Sequence, residues 1–265
     1  MLKVGGSLVA AVVLIALVGP WLLPFDPAAQ ELSLRLAGPS LAHLFGFDEL
    51  GRDILSRVVA GAQISLLVAV TVVTISATIG TLLGAIAGYV GGVVDEVIGR
   101  VIDVLLAFPG LLLAIALVAV LGPSLVNVLL ALSSIGWVSY ARLARGQVLR
   151  TREMEYVQAV RASGAGPVRI LWRHLLPAAI PAIVVQSTLG MAGSIIAEAS
   201  LSFLGLGVQP PTPSWGTMLS GGRVHILDAP HLTIFPGIAM ALLVLGFNFL
   251  GDGLRDALDP RRTGR

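Results

Sequence analysis

The feature that most constrains this chain is a series of long, nearly charge-free apolar runs, at residues 8–23, 63–90, 104–121, 125–143, 177–197 and 232–250. Wound as helices rising about 1.5 Å per residue, and with some tilt or extension, such runs match a hydrocarbon layer about 30 Å thick. Lipid offers no partner for backbone N–H and C=O groups, so the runs are expected to close their hydrogen bonds internally as helices. Of the 265 residues, 56% are hydrophobic and only 12% charged, more apolar surface than a water-soluble domain can bury. The expected fold class is therefore all-α, an integral membrane protein with six transmembrane helices. Cysteine is absent, which excludes disulfides, thiolate metal sites and a cysteine nucleophile.

The first run is long for a signal sequence, follows the single basic residue Lys3, and is not followed by a small-x-small cleavage pattern, so it is read as a retained span. The segment that follows, to about residue 61, has an acidic excess that suits the outer side. Within it Gly51-Arg52-Asp53 precedes an amphipathic stretch, where Asp53 suits a helix N-cap and the charged pair could also brace an outer gate. In the second run Gly80, Gly84 and Gly88 recur every fourth residue, a bare ridge along which another helix can come close. Asp95 and Arg100 are placed to neighbour each other at a helix end, and Phe108-Pro109-Gly110 is expected to kink the third span. Gln186 and Asn248 suit interhelical hydrogen bonds, Glu198 suits pairing with a neighbour, and Trp215 suits an interface anchor.

Charge is concentrated between the fourth and fifth runs. Arg142, Arg145, Arg150, Arg152, Arg161, Arg169 and Arg173 all fall within residues 142–177. With both termini inside, this interval joins Lys3, Arg100, Arg255, Arg261, Arg262 and Arg265 on the cytoplasmic face, leaving only Arg35, Arg52, Arg57 and Arg223 outside. The opposite orientation would violate the positive-inside rule. Residues 155–162 are helix formers, Ser163-Gly164-Ala165-Gly166 breaks the helix, and Pro167 suits the first turn of a second short helix reaching residue 176. Two short helices with a glycine corner make a shape that projects from the membrane and docks onto a partner. His174, at the base of this interval, suits capping of helix carbonyls.

This interval resembles the EAA loop of the permease subunits of ABC importers, whose pattern is Glu-Ala-Ala, a Gly a few residues on, and a closing Ile-x-Leu-Pro. Gln158-Ala159-Val160, Gly164 and Leu176-Pro177 occupy the corresponding places, with His174 where Ile usually stands. Three positions depart from the pattern, while the Gly and Leu-Pro spacing is intact. Four further stretches resemble the C-type subunit of the dipeptide, oligopeptide and nickel transporters: HLFGFDELGRDILSRVVAGAQISL at 43–66, GGVVDEVIGRVIDVLLAFPG at 91–110, EASLSFLGLGVQPPTPSWG at 198–216 and FPGIAMALLVLGFNFLGDGLRDALDPR at 235–261. Phe47 replaces the Thr of the first pattern and Gln63 a frequent Arg.

The resemblance implies the type I ABC importer permease fold, with the first helix and an outer segment at 1–62 and a five-helix permease core at 63–265 that contains the coupling loop, 145–177. It implies an ATP-driven importer of di- or oligopeptides in the bacterial inner membrane, with nickel or glutathione as alternative cargo and a stand-alone secondary carrier as the rival class. The loop residues it assigns to ATPase coupling are Glu155, Gln158, Ala159, Arg161, Ala162, Gly164, Arg173 and His174. It implies a second homologous permease chain, two ATPase subunits or one fused ATPase chain, an extracytoplasmic substrate-binding protein, and no nucleic-acid partner. ATP and Mg would sit on the ATPase partners. This chain carries no Gly-Lys-Ser/Thr phosphate loop, no nucleophile elbow and no His spacing suited to a metal, so it is expected to be no enzyme and to bind no cofactor.

Overall fold

A computed structural model describes residues 1–258; Arg261, Arg262 and Arg265, the tail arginines of the charge count, lie outside the described residues. Ten helices follow in order: α1 Leu2–Leu22, α2 Ile54–Val90, α3 Gly92–Leu106, α4 Gly110–Leu121, α5 Leu125–Arg152, α6 Glu155–Ala162, α7 Pro167–Ile170, α8 Leu176–Phe203, α9 Trp215–Gly222 and α10 His231–Leu258. No strand forms among the described residues beyond one isolated bridge between Phe47 and Asp53. Five helical stretches are long and apolar enough to cross a membrane, and α3 with α4 makes a sixth only as a pair bent by 85°. The kink expected at Phe108-Pro109-Gly110 is thus a sharp break, and the third span is not one straight helix over 104–121. Pro109 is the N-cap of α4, where its missing N–H costs nothing.

α2 is the spine. Its 37 residues make a helix about 55 Å long, well beyond a hydrocarbon layer. It begins at Ile54 rather than at 63, so the division placed at 62/63 falls inside one continuous helix. Asp53 is its N-cap, its carboxylate accepting the Ser56 N–H at 2.8 Å, as the residue type suggested. Along the other half, the glycine ridge meets α5. A Cβ on Gly84 would collide with the Ala141 backbone carbonyl, one on Gly80 with that of Trp137, and one on Gly88 would sit 2.9 Å from that of Arg145. The ascending numbers on both helices show that α2 and α5 run parallel. α1 and α10 pack as closely, with Gly5 against Leu250 and Gly253 against Leu2. The first residues and the end of α10 therefore lie together, at one end of the bundle.

At the opposite end, the linker between α1 and α2 folds over the start of α2. Arg52 donates through Nε to Asp48 at 2.7 Å and reaches Glu49 at 3.1 Å, Arg57 lies 3.3 Å from Asp48, and His43 lies 2.9 Å from Asp53. Arg52, Arg57, Asp48 and Asp53 are all buried, so their charges are compensated inside the fold. Trp215 is not an interface anchor: it is 1% exposed, and its indole N–H donates to the Val58 carbonyl at 2.9 Å, fastening α9 onto α2. Glu198, also fully buried, accepts from the Ser202 hydroxyl at 2.6 Å, and no cation pairs with it among the described residues. The pairing expected of Glu198 is thus met by a hydroxyl. Gln63 also holds the fold together, donating to the Ala16 carbonyl at 2.8 Å and tying α1 to α2.

Candidate coupling loop

The arginine-rich interval is less of a loop than its composition suggested. Arg142, Arg145, Arg150 and Arg152 belong to α5, which continues as a regular helix to Arg152. Two of these arginines bind the neighbouring helices. Arg152 donates to the Gly88 carbonyl at 2.8 Å, satisfying an acceptor at the open C-terminal end of α2. Arg145 grips Asp95 with two hydrogen bonds of 2.5 and 2.6 Å, so α3 is bound to α5. The partner expected for Asp95, Arg100, instead faces Glu96 one turn away, with both side chains exposed. Nothing in the sequence marks the Asp95–Arg145 pair, because fifty residues separate its members. In a double-mutant cycle, Asp95→Asn and Arg145→Gln should each lower the thermal midpoint of the purified chain. Combining them should add little, with a coupling of about 1 kcal/mol because the pair is partly exposed.

α6 stands where the helix formers end, Glu155–Ala162. It stops in a Schellman motif: the Ala165 N–H returns to the Val160 carbonyl at 3.3 Å and the Gly164 N–H to that of Arg161 at 3.0 Å. Gly164 takes φ of +83°, a conformation for which a residue without Cβ is suited. The second short helix does not end at 176. α7 runs through a π-turn at Leu171–Leu175 directly into α8. Pro177 has no N–H for the helix ladder, and the wider turn just before it lets the helix pass. α6 is therefore one projecting helix, joined by a glycine corner to the root of a spanning helix.

Its inner face is anchored. Val157, Ile170, Leu175 and Leu176 are buried in a cluster with Ala85 and Val148, and Val160, Ala165 and Tyr89 pack against them. The outer face is free: Glu155, Gln158, Ala159, Arg161, Ala162, Gly164 and Arg173 are all exposed. His174 is half-buried and caps no carbonyl; its ring lies 6.4 Å from that of Tyr156, which links α6 to the base of α8. Seven of the eight residues assigned to coupling are thus solvent-exposed, and His174 is half-buried. Tyr156, Val168 and Trp172 are exposed as well, adding apolar area to this end of the bundle. An amphipathic pattern marks the buried side of a short helix but does not distinguish among the exposed residues on the other side.

The bundle also carries a cavity of about 240 Å³ between α2, α4, α5 and α8, bordered by Ser76, Tyr140 and Gln186. Among the described residues Gln186 makes no hydrogen bond to another helix, contrary to the interhelical role expected of it, and neither does Asn248. Among the described residues no cluster of His, Asp or Glu is arranged to hold a metal ion.

Comparison with known proteins places these features in a family. Residues 80–264 match the model for the binding-protein-dependent transport system inner membrane component. The chain is 50% identical to the glutathione transport system permease protein GsiD of Salmonella paratyphi A over 262 residues, covering 98% of this chain and 86% of that one. It is 48% identical to the GsiD protein of Escherichia coli O1:K1 / APEC, over 97% of this chain and 85% of that one. In fold it is similar to a chain of the MetNI methionine ABC transporter in an inward-facing conformation, with a TM-score of 0.63 at 18% identity, covering 78% of this chain and 98% of that one.

Proposed function

The chain belongs to the family of binding-protein-dependent transport system inner membrane components, and from that premise we propose that it is the permease of an importer for glutathione-class short peptides. It is an ABC importer permease of the inner membrane, a class that works with ATPase subunits and a substrate-binding protein. The observation that carries the choice of cargo is the 50% identity to GsiD across nearly the whole chain. Glutathione is the alternative cargo that the resemblance offered, and it takes the place of the di- and oligopeptides expected first.

In this reading the α6 end of the bundle faces the cytoplasm, together with both termini, because the basic residues gather there. ATP is hydrolysed on separate ATPase subunits, which carry the nucleotide and its Mg, and this chain is no enzyme. A second, homologous permease chain completes the pathway. The exposed face of α6 sits in a groove of the ATPase and moves with it. The anchored face passes the displacement to α2, α5 and the root of α8, and the spans rock between two states. Rigidity is what makes this work: a loop free to flex would absorb the push, whereas the buried Val157 and the Schellman corner hold α6 to the bundle.

Uptake of radiolabelled glutathione by cells lacking the gene, compared with uptake of a labelled dipeptide, tests the cargo. Loss of glutathione uptake, restored by the gene on a plasmid, is the expected result. Unchanged glutathione uptake with lost dipeptide uptake would move the cargo to dipeptides.

A further inference from the structure

The cavity between α2, α4, α5 and α8 lies near the middle of its helices. Gln186 is about 15 Å along α8 from Leu176 and about 26 Å short of Phe203, and Tyr140 stands at a similar depth in α5. No charged side chain lines the cavity. Its polar groups come from three different helices, Ser76 of α2, Ser139 and Tyr140 of α5, and Gln186 and Ser194 of α8. The Ser194 hydroxyl is already given to the Gly190 carbonyl at 2.8 Å, but Gln186 and Ser139 have no hydrogen-bond partner among the described residues. The Ser76 hydroxyl is buried and unpartnered as well. Around them the wall is cut back to glycine: a Cβ on Gly193 would meet nothing within 4 Å, and one on Gly190 would come within 2.5 Å of the Tyr140 hydroxyl.

An amide held at mid-membrane depth without a partner is costly, since hydrocarbon cannot satisfy it. A lipid chain entering the cavity would leave that cost in place. A solute rich in amide and carbonyl groups would remove it, because Gln186 both donates and accepts. The absence of charge suits passage, for no ion pair would trap the solute on its way. From this arrangement we propose that Gln186, with Ser139 and the Tyr140 hydroxyl, forms a contact site for the peptide groups of the cargo during translocation, so that the permease itself takes part in selecting what passes. This rests on the peptide cargo proposed above and adds a site within the membrane.

The test uses the complete transporter with its binding protein in proteoliposomes, on whichever of labelled glutathione and labelled trialanine the wild type carries, so that an error about cargo is seen before any variant is compared. Gln186→Leu should co-purify with its partner subunits as the wild type does and slow uptake about tenfold, the loss of roughly one well-placed hydrogen bond. Gln186→Asn should retain a larger share of the rate, and the leucine variant should change the ratio of glutathione to trialanine uptake, or of either to its N-acetylated form. Wild-type rates and ratios in Gln186→Leu would overturn the proposal. So would failure to assemble with the partner subunits, which would make the cavity a packing surface for another helix.

Discussion

Gly164→Pro should abolish transport while leaving the bundle intact. At Gly164 the backbone holds φ at +83°, whereas proline is locked near −65°, so the corner cannot form with proline in place. Proline also removes the N–H that closes onto the Arg161 carbonyl, one of the two hydrogen bonds of the Schellman motif. Together these cost about 3 kcal/mol or more, which lowers the population of a correctly held α6 by about a hundredfold. The damage stays local, because Gly164 is exposed and a Cβ built on it meets nothing within 4 Å. Gly164→Ala separates backbone from bulk: it keeps the N–H and meets no clash, so it pays only the about 1–2 kcal/mol of a left-handed L-residue. Its uptake should fall between the wild type and the proline variant, at equal amounts of membrane-inserted protein. Full uptake by Gly164→Pro would remove the corner from the coupling path.

Gly84→Leu should destabilise the helix bundle severely. A leucine there must displace the Ala141 carbonyl on a buried helix, and neither α2 nor α5 can give way without opening the contact that Gly80 and Gly88 also form. Overpacking costs about 1–3 kcal/mol and more where a backbone carbonyl stands in the way, a large part of the about 5–15 kcal/mol that holds a folded domain together. The variant should be degraded in cells and absent from the membrane fraction. Gly99→Leu provides the control, since nothing lies within 4 Å of a Cβ at that position. It should accumulate normally.

These two glycines show what could be read from the residues alone. The ridge at 80, 84 and 88 was visible because a four-residue repeat places small residues on one face of a helix, and the structure sets α5 against it. α6 was visible to the residue because a breaker follows a run of helix formers. The second short helix was misplaced because Pro177 reads as a start, and the π-turn that accommodates it leaves no mark in composition. Phe108-Pro109-Gly110 marks the break in the third span, but hydropathy does not register its size, and the full 85° bend required the fold. Trp215 reads as an interface anchor, and the partner of Glu198 is not identifiable from the sequence, for a common reason. An aromatic or a carboxylate near a span end looks the same whether it meets a headgroup or folds inward onto Val58 or Ser202. Partners distant in sequence, such as Asp95 with Arg145, required the fold.

The coupling account reduces to whether this chain moves solute only when driven. Uptake of labelled cargo into proteoliposomes containing the chain and the second permease proposed for it, measured with and without the ATPase subunits and ATP, answers this directly. Uptake that appears only when the ATPases, ATP and the loaded binding protein are all present is the predicted result. Accumulation by the permease chains alone would contradict it.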